Sequence, residues 1–487
     1  MRFESTHHLV RAFVVLIVLA TNYSCTMHSV PSRVDSKIPI PKKFSNTSDP
    51  GNKADNQAWW RDLQTPDIDR LVQELLAGNL DLQAGWARVQ QAQALAAQAS
   101  SGLWPQVGID ATATRSRVSF YVPPPIGEQS FQVSSYPMNV GAAYELDLWG
   151  RLRSMRTAGK LNADAAVEDL NALRMTLIAT TVDLWCLIVE QNAQLSLLRQ
   201  QLQVNQTFQE LVDLRYSRGL ASAVDVNQQR QQVHAIRAQI PLVEAQVSLL
   251  QHQLAVVLGK PPGAVTVDSN ANLPNVDQQP TLVIPSQMLK NRPDVRAMEL
   301  RIRAADHQVA AAIADRFPAL RLNASTGYLD REVSGLFQNW VWSLTANIVA
   351  PIFDGGRRAA EVRRNRAVVE ELVAGYGRII LTALREVEDA LVREQSQARY
   401  VVELTAQLQA ARTTLQHAQT RYVNGLTDYL PVLNTLRTLQ QLERSQLNAS
   451  RQQISNRIQL YRSLGGSWTP LQDQAANVVE SSQDGSK

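Results

Sequence analysis

Cysteine is nearly missing from this chain: there are two in 487 residues, Cys25 and Cys186. No disulfide framework is available to it. Aromatic residues reach only 6%, while Ala, Gln, Leu and Arg fill long stretches, a composition of extended helices and not of a sandwich or an α/β enzyme. No block of one charge is present either. The 48 basic and 44 acidic residues leave a formal charge of +4, and they are interspersed rather than gathered into a stripe, so a nucleic-acid partner is not predicted. The seven histidines are scattered, none at metal-ligand spacing from Cys, Asp or Glu, and no glycine-rich phosphate loop occurs. The sequence predicts no enzyme, no metal and no cofactor; any driving energy has to come from a partner.

What is present begins with an address. Arg2 and Arg11 precede an apolar stretch over residues 12–20, too short to span a bilayer and of the length of a signal-peptide core. Residues 1–24 are thus read as a signal peptide. Cys25 comes directly after it, where bacterial lipoproteins carry the cysteine acylated after cleavage, although Asn22, Tyr23 and Ser24 replace the usual small or apolar residues; the competing reading removes Cys25 with the leader. Residues 25–58, rich in Pro, Ser, Lys and Asn without apolar periodicity, read as a linker or surface strap. Cys186, inside an apolar helical run, reads as a buried free thiol.

An internal repeat organises the rest. Residues 88–105 (RVQQAQALAAQASSGLWP) match 301–318 (RIRAADHQVAAAIADRFP) at an offset of 213. Farther along, Trp149-Gly150-Arg151 matches Gly355-Gly356-Arg357, Tyr216 to Leu220 matches Tyr422 to Leu426, and Leu258-Gly259 matches Leu464-Gly465, all at an offset of 206. The difference of seven falls between Pro105 and Trp149, where Pro123-Pro124-Pro125 marks a loop. The predicted organisation is a first repeat over 59–262 with a β-hairpin at about 105–149, a linker at 263–291, a second repeat over 292–468 with a hairpin at about 318–354, and a C-terminal tail at 469–487.

Each hairpin shows strict alternation. Val107, Ile109 and Ala111 alternate with Asp110, Thr112 and Thr114; Met138, Val140, Ala142, Tyr144 and Leu146 alternate with Asn139, Gly141 and Glu145. In the second copy Leu320, Leu322 and Ala324 alternate with Arg321, Asn323 and Ser325, and Trp342, Leu344, Ala346 and Ile348 with Ser343, Thr345 and Asn347. About ten residues suffice for a tilted strand to cross a bilayer, and a sheet over a soluble core gives the same pattern. The helices decide between the two. Residues 151–215 and 357–421 contain no proline and repeat apolar residues at three- and four-residue steps, so each predicts a helix about 100 Å long at 1.5 Å per residue, which must pack lengthwise on others. The expected partners are shorter helices over 67–101, 222–258, 294–315 and 427–464. Both helices flanking a hairpin leave from one side of the sheet, and the tips, near 119–132 and 330–338, lie on the other.

Four strands do not close a barrel, and open edges in lipid leave backbone groups unpaired at several kcal/mol each. Identical chains must pool their strands; a homotrimer with a twelve-stranded barrel is the smallest cyclic arrangement that leaves a passage. The fold class expected is mainly α with transmembrane β, internally duplicated.

Four stretches carry a family resemblance across nearly the whole mature chain: Trp59-Trp60 with Leu71-Val72 and Asn79-Leu80-Asp81-Leu82; Arg292-Pro293-Asp294-Val295-Arg296; Phe317-Pro318-Ala319-Leu320; and Pro351-Ile352-Phe353-Asp354-Gly355-Gly356-Arg357. In this order the chain resembles the outer-membrane factor (TolC-like) family of tripartite efflux systems, in its lipoprotein, NodT-type branch. The resemblance implies four strands per protomer in a trimeric outer-membrane β-barrel, continuous with a long periplasmic α-helical barrel. It also implies a periplasmic adaptor (membrane fusion protein) and an inner-membrane pump as partners, contact with outer-membrane lipid, and a role as passive exit duct for drugs or other small molecules.

The resemblance also points to the helix turns. Gly219-Leu220 and Gly425-Leu426 match turns that adaptor hairpins grip, and each Gly suits a left-handed helix C-terminus in any case. By position Asp225 and Tyr422 match a carboxylate and a phenol that hydrogen-bond across the closed periplasmic aperture. The basic residue of a second latch is replaced by Thr427, its partner by Val224, and the acidic pair of the entrance by Pro431 and Asn434; Asp428 is a candidate substitute acid, the competing reading being an exposed acid at a helix N-terminus. Two other functions fit the same frame: an exit duct for a type I protein secretion system, and a periplasmic coiled-coil scaffold without a pore.

Overall fold

A computed structural model describes residues 28–31, 38–45, 58–276, 284–335 and 337–466. The leader, Cys25 and the tail 469–487 lie outside the described residues. Among those described, the order is α1 (Pro66–Gly78), α2 (Leu80–Ser101), β1 (Gln106–Ala111), β2 (Thr114–Val122), β3 (Gly127–Leu146), α3 (Arg151–Ser217), α4 (Ala223–Val257), α5 (Pro285–Asn291), α6 (Pro293–Ala314), β4 (Ala319–Asp330), β5 (Trp340–Val349), α7 (Arg357–Val423) and α8 (Leu430–Ser463). The two proline-free stretches are single helices of 67 residues each. Contacts group the described residues into two compact units, one drawn from 87–167 and 297–377, the other from 38–86, 168–296 and 378–466.

The first unit holds the sheet. Its order is β1-β3-β4-β5, with β2 also paired to β3, and every pairing is antiparallel. β1 and β2 share one register along β3, with Ala111 opposite Met138 and Thr114 opposite Ser135, so they form one interrupted row and the sheet has four rows. Cross-strand partners sort the side chains by face. Val107, Ala142, Ala324 and Leu344 form one line across all four rows; Ile109, Val140, Thr326 and Trp342 form the next; Ala111, Met138, Tyr328 and Trp340 a third. The intervening lines are polar or small: Gln106, Ala143, Asn323 and Thr345, then Gly108, Gly141, Ser325 and Ser343, where the two serine hydroxyls lie 2.9 Å apart. Asp110 sits opposite Asn139, and Asn347 opposite Arg321, on this polar face. The alternation in sequence is thus one apolar and one polar face.

The first hairpin departs from expectation. The tip expected near 119–132 narrows to a turn at 123–126, and its flanks are strand: β2 and the distal part of β3 pair as far as Val122 and Gly127. The reason is a second run of strand-forming pairs, Val118 opposite Phe131 with Phe120 packed edge-on against Phe131 at 5.7 Å between ring centres. With 20 residues, β3 has about twice the length needed to cross a bilayer.

In the second unit the core gathers Trp59, Leu71, Leu75, Ile188, Leu254 and Ile458, with Trp59 stacked on Tyr461 and buried Cys186 among them. The helix expected over 67–101 breaks at Asn79. Asn79 accepts the Leu82 amide on Oδ1, as an N-cap does, and donates Nδ2 to the Val257 carbonyl at 2.6 Å. The second repeat breaks at the equivalent position, Arg292, where Nη1 donates to the Ser463 carbonyl at 3.1 Å. The offsets 213 and 206 map Asn79 onto Arg292 and Val257 onto Ser463, so each repeat ties its helix break to the same carbonyl with a different side chain. The short helix α5 preceding Arg292 falls in the segment read as linker, and α8 starts at Leu430 instead of 427.

Candidate functional site

The long helices end in matched turns within the second unit. Gly219 has φ +72° and Gly425 φ +71°, values that cost a residue with a Cβ about 1–2 kcal/mol. At the first turn the Leu220 amide donates to the Arg215 carbonyl at 2.8 Å, and the Gly219 amide to Tyr216 at 2.9 Å. At the second the Leu426 amide reaches the Arg421 carbonyl at 2.8 Å, and the Gly425 amide reaches Tyr422 at 3.0 Å. Both have the Schellman pattern of paired amides closing on orphan carbonyls. Leu220, Val224, Val423, Leu426 and Leu430 are exposed apolar side chains on these turns and the adjoining helix ends.

Beyond the glycines the two turns diverge. Ser222 caps α4 in a reciprocal box: its Oγ accepts the Asp225 amide at 3.2 Å, while Asp225 Oδ2 accepts from the Ser222 amide and hydroxyl, both at 2.9 Å. The second turn has no such cap; Asp428 is exposed, and Tyr429 precedes α8 with its ring fully buried.

Tyr422 lies beneath the second turn at 3% exposure, in a cluster with Val212, Val226, Tyr429 and Leu433. The Arg215 guanidinium stands 4.5 Å from the centre of its ring and donates Nη1 to the Val423 carbonyl at 3.4 Å. The Asp225–Tyr422 hydrogen bond expected of this pair is not formed within the chain. Asp225 is occupied by the capping box, and the Tyr422 hydroxyl and Thr427 Oγ1 are buried without a hydrogen-bond partner among the described residues. Burial raises the Tyr422 phenol pKa, with Asp225 adding to the shift and Arg215 opposing it.

Sequence reasoning missed Tyr429 and the polar chain below it. The Tyr429 hydroxyl donates to Gln229 Oε1 at 2.6 Å, Gln229 Nε2 donates to the Asn205 carbonyl at 2.7 Å, and Asn205 Nδ2 donates to Gln201 O at 2.7 Å. Gln201 continues it, accepting from Arg444 at 2.7 Å and donating to the Gln440 carbonyl. Gln229 and Asn205 are completely buried, so this ladder fixes α3, α4 and α8 to one another through bonds that water cannot replace. Its signal in the sequence is faint: Gln and Asn on helices rich in Gln look like solvated surface.

The profile of the family described as "Outer membrane efflux protein" matches residues 71–260 and 284–466. The chain belongs to this family. Among curated relatives of this efflux protein, the pyoverdine export outer membrane protein OpmQ of Pseudomonas putida is 31% identical over 467 residues, covering 93% of this chain and 97% of the relative. The toluene efflux pump outer membrane protein TtgF of Pseudomonas putida is likewise 31% identical, covering 89% and 90%. The outer-membrane channel OprN superposes with a TM-score of 0.82 at 27% identity, over 91% of this chain and all of that one. An outer membrane location and a role in efflux follow from membership.

Proposed function

We propose that this efflux protein is one third of a trimeric exit duct through the outer membrane, passing small molecules without chemistry of its own. The observation that carries the reading is the sheet: four rows with one apolar face, ending in β1 and β5, whose side chains are all exposed and whose outer edges have no strand partner among the described residues. Ile352 and Phe353, just past β5, are more than 90% exposed, a load of apolar surface that a neighbouring protomer would cover. Three copies joined edge to edge give twelve strands with lipid outside and the Asp110, Asn139, Asn323 and Asn347 face inside, and the long helices extend the duct into the periplasm.

The exposed leucines and valines of the turns are the surface offered to a periplasmic adaptor, which couples the duct to an inner-membrane pump. Tyr422, Thr427, Asp225 and Asp428 lie at the aperture. The buried, unpartnered Tyr422 hydroxyl is supplied with an acceptor by a neighbouring copy when the aperture is closed. Acylation of Cys25 holds the chain at the membrane. Relatives are named for pyoverdine, toluene and cation export, so substrate choice belongs to the pump. Deleting the gene is expected to raise intracellular accumulation of small toxic compounds, and the wild-type gene to reverse it; unchanged accumulation across a broad panel would refute an efflux role in that cell.

A further inference from the structure

We propose that Arg115 and Arg117 form a docking surface for the phosphate groups of anionic glycolipid in the outer leaflet. The inference rests on the transmembrane reading of the sheet.

It begins with β3, which is one continuous strand, so its even-numbered residues share a face. From Leu146 to Met138 that face is apolar: Leu146, Tyr144, Ala142, Val140 and Met138. Beyond Tyr136 the same face carries Ser134, Gln132, Ser130 and Glu128, and opposite Ser134 and Gln132 stand Arg115 and Arg117. The apolar stretch covers eight steps, about 26 Å along the strand and about 20 Å of height at the usual barrel tilt. Arg115 lies four steps farther on, about 10 Å above the last apolar line, in the zone of lipid headgroups. The arginines therefore occupy the lipid-side face where it leaves the hydrocarbon.

Their partners leave the charge uncompensated. Arg115 Nη2 donates to Gln132 Oε1 at 2.7 Å, and Arg117 donates Nε and Nη2 to Ser130 Oγ at 3.1 and 2.8 Å. All these acceptors are neutral, and among the described residues no ion pair involves either arginine. Of the carboxylates on this face, Asp330 opposite Tyr136 is already held by the Arg331 and Glu332 amides and by Asn339, and Glu128 stands four residues beyond Gln132, the position paired with Arg117. The neutral bonds aim two exposed guanidiniums along one face, one residue pair apart, each with donors left free. A phosphate takes two guanidinium N–H groups in parallel, and lipid A bears two phosphates at this depth. Charge and continuity with the apolar belt select this lipid over a zwitterionic one.

The test uses the full-length protein purified in detergent and titrated with bis-phosphorylated lipid A, or the same lipid with its phosphates removed, with bound lipid counted by native mass spectrometry. Wild type should prefer the phosphorylated form about tenfold or more, Arg115→Gln with Arg117→Gln should abolish most of that preference, and Arg115→Lys with Arg117→Lys should keep most of it. An unchanged preference in the Gln pair, or no preference in wild type, overturns the docking surface. Planar-bilayer conductance separates this from the reading beneath it: channels from wild type and both pairs, with equal lipid preference, overturn the docking surface alone, while no channels from wild type overturn the transmembrane assignment.

Discussion

Arg292 shows what one residue can tie together. At 5% exposure, its guanidinium meets Asp294 at 2.8 and 3.1 Å, Glu386 at 2.7 Å and the Ser463 carbonyl at 3.1 Å. Burial works against its charge, but the two carboxylates outweigh burial and its pKa is raised. Arg292→Ala should cost about 3 kcal/mol, because it leaves two carboxylates and a carbonyl unpaired, and Asn79→Ala about 1–2 kcal/mol at the equivalent neutral site. Chemical denaturation of the two variants would give that order. Glu190 offers a pH test. It is 1% exposed, and burial raises its pKa above 4.5, opposed by a hydrogen bond from Gln191 and by Arg451. A carboxyl with a raised folded pKa costs nothing while it is protonated in both states and destabilises the fold as pH climbs from its unfolded value through the folded one. Glu190→Gln should therefore raise the unfolding temperature at pH 8 and change it little below about pH 4. A gain confined to acid pH would contradict the assignment. Cys186, completely buried and with its thiol pushed up chiefly by burial, should resist alkylation in the folded protein at pH 8 and react on denaturation.

At the scale of elements, the glycine turns and strand faces were legible because each rests on local chemistry. Gly219 and Gly425 advertise a left-handed residue after a long helix, and Val107 to Ala111 or Leu320 to Ala324 alternate on their own. Gly425→Ala should cost about 1–2 kcal/mol, measured as a lowered denaturation midpoint, since Cβ is disfavoured at its φ even though nothing crowds the site. What local pattern does not carry is a contact made across the chain. The break at Asn79 depends on a carbonyl 178 residues away, and the Tyr429 hydroxyl on Gln229, 200 residues away. The distal half of β3 was missed for another reason. Ser and Gln alternate there with Val and Phe in the opposite phase to the proximal half, and a change of phase resembles a loop until the register shows one unbroken strand. In the turns, Tyr216 and Tyr422 occupy equivalent positions in the repeat, yet one is half exposed and the other buried under Arg215; duplication kept the backbone turn and not the environment.

At the scale of the whole molecule, the described residues of a single chain leave business unfinished: an apolar sheet face, two sheet edges without a strand partner, and a buried phenol without an acceptor. Each is costly alone, and each would be relieved by the further copies and the membrane of the proposed duct. Tyr422→Phe separates local from collective roles. Within one chain it removes an unsatisfied hydroxyl and should not lower stability, whereas a closed aperture held through that hydroxyl should leak, raising closed-state conductance several-fold; equal conductance would dismiss the latch. The most direct measurement of the central claim is single-channel conductance of the purified full-length protein in planar bilayers. A twelve-stranded trimer predicts discrete, uniform channels whose active species has three times the mass of one chain, and a preparation that stays silent at high protein concentration would contradict the duct.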